Sequence, residues 1–104
     1  MPKLIFTQRA AAELEALGRD AGAPAISKTV RKALGFLESN PRHQSLQTHE
    51  YTSMRGPRDE KIFEAYAQNQ TASAYRIFWH YGPDEIRGKQ RIAIITVIAI
   101  TPHP

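Results

Sequence analysis

The sequence predicts an α+β domain in which an N-terminal strand and two helices, packed together as an αα-hairpin, cover one face of an antiparallel β-sheet. Three observations predict it. Apolar residues recur at three- to four-residue spacing in two segments before Asn40. Alternating and β-branched segments, Ser73 to Tyr81 and Ile92 to Thr101 among them, fill the chain after Asp59. The two periods do not interleave, and helices grouped apart from strands make a layer of helix on a layer of sheet.

The elements follow in order. Pro2 to Phe6 reads as a short first strand. Thr7 suits an N-cap, because its hydroxyl can accept from an early free amide. A helix follows to about Asp20, with Ala11, Leu14, Leu17 and Ala21 as its apolar stripe. Gly18 and Gly22 weaken its end. Pro24 suits the first turn of a second helix, in which Ile26, Val30, Ala33, Leu34 and Leu37 keep the helical period and Lys28, Arg31 and Lys32 fall mostly on the other side. Asn40-Pro41 stops it. From Asn40 to Asp59 the chain is polar and aperiodic, with Leu46, Tyr51 and Met54 its only sizeable apolar groups. A stretch of that length without structure is commonly functional or mobile, and a short strand around Leu46 to Thr52 fits within it.

Three strands come next. Lys61 to Ala67 is the first, and Gln68 to Ala72 links it to Ser73–Tyr81. In that second strand Tyr75, Ile77, Trp79 and Tyr81 share one face, and Arg76, Phe78 and His80 share the other. Gly82-Pro83-Asp84 opens a polar hairpin loop that ends near Arg91. The last strand, Ile92 to Thr101, is apolar on both faces, as a central strand is. With the helices on one face, the opposite face carries Arg76, Phe78 and His80.

Size and charge set further bounds. The 104 residues fit one domain, and 41% hydrophobic residues supply one modest core. There are no cysteines, so disulfides and thiolate metal sites are excluded and a reducing cytoplasm is expected. Met1 to Phe6 lacks the apolar region of a signal peptide, and the longest apolar run falls far short of the roughly 20 residues of a membrane helix. The formal charge is +4, which favours a polyanionic partner as much as it serves solubility. Arg42, Arg55, Arg58 and Arg76 lie in or near the middle segment and not in a tail.

The C-terminal half carries the most specific pattern. Tyr75-Arg76-Ile77-Phe78 stands on a strand, a polar hairpin and a final apolar strand follow, and His103 comes just after. The preceding strand holds Phe63-Glu64-Ala65-Tyr66, and Asn40-Pro41 with downstream Leu46 lies between helix and sheet. Taken in this order over nearly the whole chain, these features resemble the RelE/ParE superfamily of bacterial type II toxins. Glu64 matches the aromatic-Glu-apolar-Arg pattern of the HigB-like branch, and Tyr66 stands where that pattern has arginine. The resemblance implies a RelE-like fold and an endoribonuclease that cleaves mRNA at the ribosome without metal or cofactor. It also implies a cognate antitoxin that wraps the toxin and blocks its basic face.

Such cleavage needs a base for the ribose 2′-hydroxyl, cations for the phosphorane and an acid for the leaving oxygen. Arg76 is the first candidate, because its fork matches two phosphate oxygens; the plain alternative is an ion pair with Glu64. His103 is the second, since an imidazole exchanges protons near neutral pH; the plain alternative is a frayed terminus. His80, four residues after Arg76 on the same strand face, is a further candidate for the general base or acid; as an exposed histidine on a sheet, more often inert, it ranks below His103. Arg55 and Arg58 are candidates to hold RNA phosphates, and Tyr66 and Tyr51 to stack on bases. Glu64 is a candidate base, with pairing to Arg76 or Arg58 as its alternative. His43 and His49 make no convincing metal site, and no Gly-rich phosphate loop or nucleophile elbow is present. Two other functions stay open: a ParE-like inhibitor of DNA gyrase, and a toxin-shaped binding module without chemistry.

Overall fold

The computed structural model describes residues 2–68 and 74–102. The order is β1 (Lys3–Phe6), α1 (Gln8–Arg19), α2 (Pro24–Ser39), a 3-10 turn (Gln44–Leu46), β2 (His49–Arg55), β3 (Lys61–Tyr66), β4 (Tyr75–Tyr81), β5 (Glu85–Arg87), β6 (Gln90–Ile92) and β7 (Ile94–Pro102). Five strands form one sheet in the order β1-β7-β4-β3-β2. All pairings in it are antiparallel except β1 with β7, which is parallel. The sheet is therefore mixed at one edge, where the sequence led us to expect an antiparallel one. β1 and β2 sit at opposite edges, so α1 and α2 carry the chain across the sheet between them.

Both helices begin and end as their sequences dictate. The Thr7 hydroxyl accepts from the Ala10 amide at 3.2 Å and caps α1. Pro24 opens α2, and the Asn40 amide donates to the Phe36 carbonyl where α2 stops. On α2 the expected residues Val30, Ala33, Leu34 and Leu37 are buried. On α1 the stripe is centred differently: Ala10 and Leu17 are buried and Leu14 half-buried, whereas Ala11 and Ala21 are exposed. Ala11 lies one residue, about 100°, round the helix from the buried line, and Ala21 falls in the turn after α1 has ended.

The core lies between helices and sheet. Ile77 and Trp79 of β4 and Ile95, Val97 and Ile100 of β7 meet Leu17, Leu34, Leu37 and Leu46 there. Each such fully buried large side chain contributes about 1.5–3 kcal/mol. Leu46 is 0% exposed; it anchors the segment that looked structureless, and that segment contains the 3-10 turn and β2. β2 is the strand that was expected near Leu46 to Thr52, shifted towards the C-terminus.

β7 runs past the end of β1, and α1 completes its edge. The Thr7 amide donates to the Val97 carbonyl at 3.0 Å, and the Thr7 hydroxyl donates to the Ile98 carbonyl at 3.2 Å. The Glu13 carboxylate accepts from the Ile100 amide at 2.9 Å. Between Val97 and Ala99 the β4–β7 register slips by one residue, which bulges β7 at Ile98. After β4, Gly82 takes φ +65°, a region L-residues rarely occupy, and its carbonyl accepts from the Thr96 hydroxyl at 2.8 Å. The expected polar hairpin loop that follows is a separate two-stranded ribbon, β5 with β6. Among the described residues no helix is long and apolar enough to cross a membrane.

Candidate functional site

Strand alternation turns Glu64 and Tyr66 of β3 and Arg76, Phe78 and His80 of β4 away from the helices. Tyr66 pairs with Arg76 and Glu64 with Phe78 across β3–β4, while His49 of the edge strand pairs with Glu64. Three groups of residues result along this face.

The first group is charged. Glu64 is 1% and Arg76 4% exposed. Arg76 Nε lies 3.8 Å from Glu64 Oε2, and Arg76 Nη1 donates to the Ala74 carbonyl at 2.9 Å. The guanidinium carbon sits 4.1 Å above the Tyr66 ring, a cation–π contact that strengthens as water is excluded. On its other side Glu64 Oε1 meets His49 Nε2 at 2.7 Å. His49 Nδ1 is 3.1 Å from the Gln47 carbonyl. Both ring nitrogens thus face oxygen acceptors, and a neutral imidazole can donate through only one of them at a time. Gln47 reaches this position with φ 45°, a left-handed conformation that costs a non-glycine residue about 1 kcal/mol or more and often marks a functional site.

The second group is apolar. Ile62, Phe78 and Ala99 form a small cluster with Tyr51 and Ile98, and the Tyr51 ring meets Phe78 edge-on at 5.1 Å. The third group lies at the β2–β3 hairpin. Glu60 Oε1 accepts from the Arg58 amide at 2.7 Å, and Glu60 Oε2 is 3.9 Å from His80 Nδ1. The Arg58 amide holds the Glu60 carboxyl below its ordinary range; partial burial opposes this, while its own amide and the charges of His80 and Arg58 add to it.

Of the residues singled out from the sequence, the structure brings together Glu64, Arg76 and Tyr66. The pairing of Arg76 with Glu64, the plain alternative for both, is present. His80 is 3% exposed, not a surface histidine. It stands on an interior strand opposite Thr96, so neighbours cover it on both sides, and its Nδ1 is 2.9 Å from the Tyr81 carbonyl. Arg55 and Arg58 are exposed, each 3.9 Å from a carboxylate, Asp59 and Glu60 respectively. Arg55 pairs with Lys61, three residues before Glu64 and so about 10 Å along the strand from it. These arginines and His80 therefore form a separate group. His103 lies outside the described residues.

Sequence reasoning missed His49. Its signal was positional: Gly56 and Pro57 stand midway between His49 and Glu64, and folding the segment about that turn sets the two side by side. Among the described residues no three His, Asp or Glu side chains gather as a metal site requires. No protein-family model, curated protein or solved structure matches the chain.

Proposed function

We propose that this chain is a toxin of the RelE/ParE type, with the RelE-like fold: an endoribonuclease that cleaves mRNA at the ribosome and is restrained by a cognate antitoxin. One observation carries the reading: an imidazole, a carboxylate and a guanidinium meet on the sheet face that the helices leave uncovered. These are the group types that 2′-hydroxyl attack on an adjacent phosphate requires. In that step the 2′-oxygen bonds to phosphorus and the P–O5′ bond breaks. The hydroxyl proton goes to a base, and an acid protonates the departing 5′-oxygen.

His49 is the imidazole of the cluster, a ring whose nitrogens can accept or donate a proton, and it reaches solvent, its side chain 46% exposed. It takes the 2′-hydroxyl proton once one of its two acceptor contacts opens. Glu64 orients the ring, and Arg76 holds Glu64 in place and adds positive charge behind it. Arg55 and Arg58, exposed on the hairpin, hold neighbouring phosphates as mobile cations. His103 is the candidate for the second proton transfer, on the resemblance alone.

A second reading rests on the burial of Arg76. A guanidinium 4% exposed and held by Glu64, Tyr66 and the Ala74 carbonyl must leave those partners to touch a phosphate. That favours a structural arginine, and with it an inert binding module or a ParE-like gyrase inhibitor.

Induced expression in bacteria separates these readings, comparing wild type with His49→Ala, Arg76→Lys and His103→Ala and mapping new mRNA 5′ ends. The nuclease reading expects growth arrest with new ends inside coding regions, lost in His49→Ala. Arrest without RNA cleavage would transfer the function to gyrase or another target. A folded protein that causes no arrest would be the inert module.

A further inference from the structure

A cavity of about 370 Å³ opens beside the charged cluster. Thr29, Lys32 and Phe36 of α2, Ser45 of the 3-10 turn, Tyr66 and Gln68 line it. Tyr66 is the residue whose ring carries Arg76, and the lining also includes Gln47, whose carbonyl holds His49. The cavity and the cluster therefore share a wall.

Its chemistry is mixed in a particular way. Phe36 offers ring surface, while the Tyr66 ring is turned to Arg76. Phe36 is stiffened from behind by His43, stacked at 4.1 Å and 13°. Lys32 Nζ stands 5.8 Å from the Phe36 ring centre, so a cation overlooks an aromatic floor. Gln68 Oε1 already accepts from the Tyr75 amide at 2.8 Å, which leaves its amide nitrogen as the donor. The Ser45 hydroxyl adds a group that both donates and accepts. The volume falls at the lower end of the range of small-ligand sites.

We propose that this cavity seats one base of single-stranded RNA, with the attached phosphate at Lys32. A base is a flat ring with a polar edge, and unpaired RNA is recognised by stacking on aromatic rings and by hydrogen bonds to that edge. Aromatic floor, amide donor, hydroxyl and a single cation are the complement of one nucleotide. A purely apolar ligand would leave the amide and hydroxyl without partners at a cost of about 1–3 kcal/mol each. The inference rests on RNA being the substrate. It adds a specificity determinant: a base held here fixes which phosphate lies over the cluster.

The test follows ¹H–¹⁵N NMR spectra of the full chain with the four nucleoside 5′-monophosphates and with a short single-stranded oligoribonucleotide. The expected result is shifts centred on Thr29, Lys32, Ser45 and Gln68, and tighter binding of the oligomer, which adds phosphate contacts. Lys32→Glu, an exposed position, weakens binding about tenfold or more, equal to about 1.4 kcal/mol. Thr29→Trp fills the cavity and abolishes the shifts, its own spectrum reporting whether it folds. No shifts at the cavity, or shifts indifferent to Lys32→Glu, would overturn the proposal. So would equal affinity for monophosphate and oligomer, which would make this a free-nucleotide site. Cavity shifts in a protein that cuts no mRNA would remove the nuclease and keep the base site. Cutting unchanged by Lys32→Glu, with no cavity shifts, would do the reverse.

Discussion

Glu64 sits between two cationic or titratable neighbours, and the three side chains differ in what their loss should do. Arg76→Ala removes the buried partner of a buried carboxylate. It should destabilise the fold by about 3–5 kcal/mol, measured by denaturant unfolding. Replacing both members of the pair with apolar residues of similar volume should recover most of that loss, because the pair's desolvation disappears with it. His49→Ala removes a 2.7 Å contact to the buried Glu64 carboxylate from a side chain 46% exposed; it should cost about 1.5–3 kcal/mol, the range for a hydrogen bond to a charged group, and so fold and yet lose activity. The same logic makes Arg76→Lys the useful activity variant at that position, since it keeps the charge and loses only the fork. Glu60 is a pH reporter. Its folded-state value lies below the usual 4.5, so its stabilising contribution is present above that pH and is lost as pH falls through the lowered value. Glu60→Gln should flatten the fall in urea midpoint below about pH 4.5, and a curve that keeps its acid slope would refute the assignment.

At the scale of elements, the join between α1 and β7 makes the sharpest prediction. Glu13 accepts from the Ile100 amide where no strand is available to do so. Glu13→Ala should cost about 1.5–3 kcal/mol, the range for a hydrogen bond to a charged group, and should speed hydrogen exchange at the Ile100 amide. Thr7→Ala should cost about 1 kcal/mol. The helices were readable because burial on one side imposes a period. α2 kept its predicted face, with Val30, Ala33, Leu34 and Leu37 inward. The faces of β4 were readable for the same reason, with Trp79 and Ile77 in the main core and Phe78 on the other side. β2 was not. As an edge strand it is exposed at every position from Thr52 to Arg55, so no alternation was needed and none was written. That hid the one strand that brings His49 to Glu64. The parallel placement of β1 was equally hidden, because four residues paired on one side carry no mark of direction.

At the scale of the whole molecule, the two layers divide the work. The helices bury one face of the sheet and leave Glu64 and Arg76 on the other, beside the apolar cluster of Ile62, Phe78 and Ala99; under the proposed function a formal charge of +4 suits a polyanionic partner there. RNA binding should weaken as salt rises, with a slope set by the number of phosphates contacted. Arg55→Ala and Arg58→Ala should each lower that slope by about 0.7 for a single strand. The pair Glu64 and Arg76 was legible from the sequence because both sit on strands of clear period. The third member of the site was not, because its position depends on a turn and an edge.

The most direct test is cleavage in a purified system, with translating ribosomes on an end-labelled mRNA and the chemistry of the new ends determined. Attack by the 2′-hydroxyl predicts a 2′,3′-cyclic phosphate on one fragment and a 5′-hydroxyl on the other, with cutting abolished in a folded His49→Ala protein. Intact mRNA, fragments bearing 5′-phosphate, or cutting that survives His49→Ala would contradict the account.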